Sequence, residues 1–161
     1  MSIKYQFEEI AGKVCKFLYP IPTSFYRGCG KSIAICTLSS MSLLKKISQD
    51  QIMEKVLIAG RLFSENKGID AVITFCTTSS TIRYLIICGK DTKGHQPGDA
   101  LVNLMANGID KNGVIINAVA PYPKLNCNPA MIENFRNIVK LIDLRGCSDL
   151  QEIRNEIDKI T

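Results

Sequence analysis

The chain contains a single histidine, His95, in a glycine-rich loop where it could bind a ligand. Before the loop, residues 84–88 form a nearly continuous apolar run, which is typical of a strand buried on both faces. After it, Pro97 and Asp99 suit the first turn of a helix, since proline needs no hydrogen bond there and an acid favours the positive helix end. Ligands of parallel sheets bind in such loops, beyond the carboxyl ends of strands. His95 is therefore the first candidate for a functional residue.

A histidine at this position has three interpretations. A neutral imidazole can coordinate a transition metal through one nitrogen while the other donates to an acid, for which Asp91 and Asp99 are near enough in sequence. One protein ligand does not hold a bare ion, so the metal would arrive in a macrocycle such as a haem or a corrinoid. His95 could instead form an acid–base pair with Asp91 or Asp99 in a small-molecule enzyme. On spacing alone, an exposed loop histidine without a ligand is favoured.

The elements that would position this loop alternate between strand and helix along the chain. That alternation predicts an α/β fold with a mostly parallel sheet of five or six strands, right-handed crossovers and helices on both faces. Strands are predicted at residues 32–38, 56–59, 82–88, 114–120 and 140–144. Helices are predicted at 6–18 and 43–56, after Ser64, Pro97 and Asn128, and after a capping box at Ser148 and Gln151.

Composition indicates one ordinary globular domain over residues 1–161, with 1–30 as an N-terminal extension and 31–161 as the core. The net charge of +5 is spread along the chain, so it does not indicate nucleic-acid binding. No apolar run is long enough for a transmembrane segment, and the charged N-terminus does not resemble a signal peptide. The seven cysteines are odd in number and form no CxxC pair, which predicts a reducing cytoplasm and no zinc site.

No nucleotide-binding motif or cysteine nucleophile stands out. Gly30-Lys31-Ser32 resembles the end of a P-loop, but Phe25 stands where that motif has its first glycine. A phosphate-binding loop leads into a helix, whereas this segment is followed by a predicted strand. We therefore predict a plain loop. The spacing of the cysteines does not identify any of them as a nucleophile that would pair with His95 in acyl transfer.

The segment from Gly89 to Leu101, continued by Asn107-Gly-Ile-Asp110, closely resembles a known family. It is similar to the corrinoid-carrying A subunit of tetrahydromethanopterin S-methyltransferase from methane-forming archaea. That family has a strand ending in Cys-Gly, a polar linker, Gly-His, two residues, Gly, a helix and Asn-Gly-hydrophobic-Asp. The resemblance covers residues 33 to 153 and includes three further matching segments, at 35–40, 64–69 and 140–144.

This resemblance implies a Rossmann-like domain that binds cobalamin or a related cobamide, with His95 as the lower axial ligand of cobalt. In the family, cobalt(I) takes a methyl group from methyl-tetrahydromethanopterin, and the group then passes to the thiolate of coenzyme M. The resemblance thus implies a methyl carrier, either a soluble homologue or a cytoplasmic domain. Its partners would be methyltransferase subunits that present a methyl-tetrahydropterin and a thiol, in the cytoplasm or at the membrane through those subunits. The alternative is a non-catalytic Rossmann-like binding or assembly module that has lost the cofactor.

The residues expected to contact the cofactor lie in the loops at the carboxyl ends of the predicted strands. Gly94 and Gly98 would let a flat ring approach closely, or would be ordinary turn and cap glycines. Tyr122 could pack on the macrocycle or simply line the loop. Ser39 and Ser64 could cap helices and have no contact with the cofactor. The full set comprises Thr37, Leu38, Ser39, Glu65, Asn66, Gly89, Asp91, Thr92, Gly94, His95, Gln96, Pro97, Gly98, Ala120, Pro121 and Tyr122.

Overall fold

A five-stranded sheet with helices on both faces forms the framework of the computed structural model, which describes residues 25–161. The predicted helix at 6–18 lies outside the described residues. The strands are β1 (Phe25–Arg27), β2 (Ile33–Cys36), β3 (Ile58–Gly60), β4 (Tyr84–Gly89) and β5 (Lys140–Arg145). The helices are α1 (Met41–Ser48), α2 (Lys67–Thr78), α3 (Pro97–Asn107), α4 (Pro129–Ile138) and α5 (Leu150–Ile160), with a short 3-10 helix at Gln51–Glu54.

The direction in which the strands are added to the sheet reverses at β2. The order is β1-β3-β2-β4-β5, and all neighbours pair in parallel except β1, which runs antiparallel to β3. The chain passes from β2 to β3 on one side, and then crosses to β4 on the other side of β2. Such a change of direction opens a crevice at the carboxyl ends of the strands. The α/β, mostly parallel architecture predicted from sequence is confirmed.

Two apolar cores, one on each face, hold the helices against the sheet. Alternate residues of β4 face opposite sides: Leu85 and Ile87 join the core under α2, α3 and α4, whereas Ile86 and Cys88 join the core under α1 and α5. Every residue from Leu85 to Cys88, and every residue of β2, is buried. Burial on both faces explains the unbroken apolar pattern of these central strands.

The predicted strand at 114–120 is wrong. The carboxylate of Asp110 accepts hydrogen bonds from the Asn112 and Val114 amides and turns the chain before an extended run can begin. Asn117 then adopts a left-handed conformation with φ of 64°, which interrupts the alternation. Only two isolated bridges form in the described part of the chain, Ile109 with Ile115 and Val114 with Lys124. The segment instead crosses the carboxyl edge of the sheet as an irregular loop.

Two smaller predictions also need correction. Residues Phe25–Arg27, which were predicted to be part of a loop, form the antiparallel edge strand β1 against β3. The helix α5 is capped by Asp149, whose side chain accepts from the Gln151 amide, and not by Ser148. An aspartate one residue nearer the helix satisfies the same unpaired amides. Within residues 25–161, no helix is both long and apolar enough to cross a membrane.

The three cysteines in the cores behave as small apolar residues, and this has a measurable consequence. Burial raises the pKa of the Cys36 and Cys76 thiols to about 12 and also raises that of Cys88. Because the thiolate is the reactive form, we expect these three to stay unmodified during a brief iodoacetamide treatment of the native protein. The exposed Cys29 is the internal control and should be labelled, as peptide mapping would show. Rapid labelling of Cys88 would contradict the packing.

Candidate functional site

Three loops and one irregular segment meet at the carboxyl edge of the sheet. The loops after β2 and β4 are joined at Lys90: its carbonyl accepts from the Ser39 hydroxyl at 2.7 Å, and its amide donates to the Ser40 hydroxyl at 2.9 Å. The loop after β3 joins them through the Leu62 amide, which donates to the Leu38 carbonyl. The loops that follow the three adjacent strands therefore form one continuous surface.

The centre of this surface is a contact between His95 and Glu65. The Nδ1 atom of His95, in the loop after β4, lies 3.0 Å from Oε2 of Glu65, in the loop after β3. The glutamate side chain is only 1% exposed, whereas the histidine side chain is 55% exposed. A buried acid thus holds one side of an imidazole whose other side reaches solvent.

This contact determines which imidazole nitrogen is available. When the Glu65 carboxylate is ionised it only accepts hydrogen bonds, and a neutral His95 then places its proton on Nδ1. The Nε2 atom then carries the lone pair, and it makes no hydrogen bond to any residue from 25 to 161. An imidazole oriented by an acid on one nitrogen and free on the other is the usual arrangement of a metal-ligating histidine.

The acid that orients His95 is not one of those suggested by sequence. Asp91 accepts from the amides of Thr92, Gly98 and Asp99, and so caps the start of α3. Asp99 accepts from the Val119 amide and lies 4.0 Å from Arg145. Both carboxylates are therefore occupied elsewhere, and the acid–base pair of His95 with Asp91 or Asp99 does not form.

Glu65 also anchors the segment that was wrongly predicted to be a strand. Its second oxygen accepts from the Tyr122 amide at 3.1 Å, and the side chain of Asn66 donates to the Tyr122 carbonyl at 3.4 Å. Asn66 has a further role, because its side-chain oxygen caps α2 at the Lys67 amide. The backbone of Tyr122 is thus held beside His95 by side chains of the loop after β3, and Ala120 and Pro121 precede it in the same irregular segment.

The remaining predicted residues divide into those that build the loops and those that are open to a ligand. Thr37 is fully buried and donates to the Gly60 carbonyl, and Leu38 is buried with φ of 51°. Gln96 precedes α3 with φ of 42°, and Pro97 is buried in the first turn of that helix. The Thr92 hydroxyl is buried without a hydrogen-bond partner in the described part of the chain. Tyr122 is 70% exposed and presents apolar surface, as does Val119, a residue that was not predicted from sequence and is 69% exposed.

The three glycines differ in what surrounds them. Gly89 has φ of 74°, and a Cβ there would lie 2.6 Å from the Ser40 hydroxyl. At Gly98, a Cβ would lie 2.8 Å from the Asp91 carboxylate and 3.0 Å from Leu38, so close packing within the chain requires glycine here. At Gly94 a Cβ would meet nothing within 4 Å. Of the two glycines predicted to admit a flat ring, Gly94 has the open space.

This difference predicts opposite outcomes for two matched substitutions. We expect Gly98→Ala to lower the free energy of unfolding by about 1–3 kcal/mol, because its Cβ overpacks the start of α3. Gly94→Ala should change it by less than about 0.5 kcal/mol, since the position is open. Urea denaturation of the two variants measures both values. Equal effects would show that the packing around Gly98 is not as tight as described.

Comparison with known proteins identifies the family. The model of the family described as the A subunit of tetrahydromethanopterin S-methyltransferase matches residues 21–161. The chain belongs to this family. The A subunit of the enzyme from Methanocaldococcus jannaschii is 35% identical over 127 residues, which are 78% of this chain and 51% of that protein. In Methanothermobacter marburgensis, the A subunit numbered 2 is 32% identical over 127 residues, 78% of this chain and 66% of that protein.

A further relative carries a different methyltransferase name. A protein of Methanosarcina barkeri named for the A subunit of an Mtx methyltransferase is 32% identical over 116 residues, 71% of this chain and 59% of that protein. The chain therefore spans about half to two thirds of the length of these relatives. The resemblance found from the His95 loop is confirmed at the level of the family, and the matched region contains the whole described site.

Proposed function

We propose that the chain is a cobamide-binding methyl carrier of the A-subunit type, with His95 as the lower axial ligand of cobalt. The observation that carries the proposal is the buried Glu65 holding Nδ1 of an exposed imidazole, which leaves Nε2 available. Names of relatives support the methyltransferase context, because all those described above are named as methyltransferase subunits.

The residues at the site fit such a cofactor. Within residues 25–161 there is no cluster of three His, Cys, Asp or Glu side chains that could hold a metal ion. His95 would supply a single ligand, and a corrin ring would supply the equatorial ones. Beside it, Gly94 leaves open space, and exposed Val119 and Tyr122 offer apolar contact to a large flat ring.

Each protein residue has a defined role in this proposal. A cobamide held by His95 would supply the chemistry of methyl transfer between a methyl-tetrahydropterin and a thiol such as coenzyme M. His95 keeps its proton on Nδ1 and offers Nε2 to the metal. Glu65 would accept the hydrogen bond from Nδ1 and so fix the orientation of the ring, as such outer partners do for metal-ligating histidines. Partner methyltransferase subunits would present the methyl donor and the thiol to the bound cofactor.

Retention of cofactor through gel filtration tests the proposal. The purified protein is incubated with hydroxocobalamin, separated from free cofactor and examined by visible absorption. We expect one cobamide per chain in the protein fraction, with a spectrum that differs from that of the free cofactor. A folded protein that retains none would contradict the proposal and favour the alternative of a binding or assembly module without cofactor.

A further inference from the structure

A cavity lies between α2 and the β3 side of the sheet. Its volume is about 560 Å³, within the range of about 300–1,000 Å³ that small-molecule sites occupy. The walls are largely apolar and include Phe25 and Ile58 from the strands, Leu62 from the loop after β3, and Val72 and Phe75 from α2. His95 does not line this cavity.

One charged side chain in the wall lacks a partner. The Nε and Nη2 atoms of Arg61 are inaccessible to solvent and have no hydrogen-bond partner among residues 25–161. The guanidinium carbon lies 4.1 Å from the centre of the Phe63 ring, and this stacking fixes the plane of the group without satisfying its N–H bonds. Loss of hydration lowers the pKa of Arg61, although arginine remains charged at neutral pH.

The two unpartnered atoms form one recognition edge. The Nε–H and Nη2–H bonds of a guanidinium are parallel, and together they match the two oxygens of a carboxylate. Among the described lining residues, the only charged side chains are Arg61 and Arg27, and none is acidic. Arg61 as a whole is partly exposed, but its two buried N–H groups are costly to leave without an acceptor. The cavity therefore has a largely apolar interior, and the Nε–H and Nη2–H groups of Arg61 in its wall lack the acceptor that an anion would provide.

We propose that this cavity binds a small carboxylate with an apolar body, and that the guanidinium of Arg61 turns its Nε and Nη2 edge into the cavity to pair with the carboxylate. The body of the ligand occupies the space between α2 and β3. His95 does not line this cavity, and the proposal does not depend on the function proposed above.

The test uses 2-naphthoate as the carboxylate probe and naphthalen-2-ylmethanol as its neutral counterpart, with binding measured by isothermal titration calorimetry on the full chain. We expect wild-type protein to bind one naphthoate per chain, about 10- to 100-fold more tightly than the alcohol, from two charge-assisted hydrogen bonds. Arg61→Met keeps much of the side-chain volume and should abolish this preference. Arg61→Lys keeps the positive charge but lacks the two parallel N–H bonds, so it should retain part of the preference for naphthoate over the alcohol.

Two further variants locate the probe. Ala71 lines the cavity from an exposed position on α2, so Ala71→Phe should fill the space and weaken binding of both probes without unfolding the chain. His95→Ala should bind naphthoate like the wild type, because His95 lies outside the cavity. The proposal is overturned if wild type does not bind naphthoate, if Arg61→Met keeps the preference, or if binding depends on His95 instead of Ala71.

Discussion

Replacing His95 by alanine should weaken cobamide binding by at least about 100-fold, because it removes the only protein ligand proposed for cobalt. Any cofactor that remains should show the visible spectrum of a cobamide without histidine ligation. The fold should survive, since the His95 side chain is 55% exposed and contacts only Glu65 by hydrogen bonding within the described residues. Loss of that bond should lower the free energy of unfolding by about 1 kcal/mol. Equilibrium titration with hydroxocobalamin and urea denaturation measure the two effects.

Lys93→Ala is the matched control for His95→Ala. Lys93 lies in the same loop, is exposed and makes no side-chain hydrogen bond or ion pair within residues 25–161. We expect this variant to bind cobamide like the wild type, which would show that the loss at His95 is specific. If both variants retain cofactor with unchanged spectra, cobalt is not ligated by His95 and the proposed site is wrong.

Replacing Glu65 by glutamine should weaken cobamide binding by about 10- to 100-fold through the tautomer of His95. The glutamine carbonyl can still accept from the Tyr122 amide, but its NH₂ group then faces Nδ1 of His95 and donates to it. The imidazole proton must move to Nε2, where it blocks the lone pair that would bind cobalt. Stability should change by no more than about 1 kcal/mol, because both hydrogen bonds are replaced.

Nitrogen NMR measures this tautomer directly. Because His95 is the only histidine, ¹⁵N-histidine labelling reports on it alone. We expect the proton on Nδ1 in cofactor-free wild type and on Nε2 in Glu65→Gln. Asn66→Ala is the control, since Asn66 also contacts Tyr122 but not His95; it should lose the α2 cap, about 0.5–2 kcal/mol, and keep the wild-type tautomer. The same tautomer in wild type and Glu65→Gln would contradict the role given to Glu65.

Much of the fold was predictable from local patterns. The residues of β2 and β4 are buried on both faces, and their unbroken apolar runs identify them directly. Pro97 and Gly108 mark the two ends of α3, and Asn128 marks the start of α4, because helix ends require particular residue types. The strand at 114–120 could not be rejected from its pattern, since the turn that breaks it depends on the side chain of Asp110.

The partner of His95 could not be predicted for a different reason. Glu65 and His95 are 30 residues apart and follow β3 and β4, which lie on opposite sides of β2. Only the strand order brings their loops together, and strand order depends on tertiary packing that local patterns do not show. Sequence proximity instead favoured Asp91, which is required at the start of α3. Glu65 was nonetheless among the expected site residues, because its loop was predicted to lie at the same edge.

Electron paramagnetic resonance of the protein with bound cobalt(II) cobamide tests ligation by His95 most directly. A nitrogen bound axially to cobalt(II) splits each cobalt line, into a triplet for ¹⁴N and into a doublet for ¹⁵N. Because the chain has one histidine, labelling with ¹⁵N-histidine changes the isotope of the His95 nitrogens and of no other residue. We predict a triplet in unlabelled protein and a doublet in labelled protein. A triplet in both samples, or no nitrogen splitting in either, would contradict His95 as the cobalt ligand.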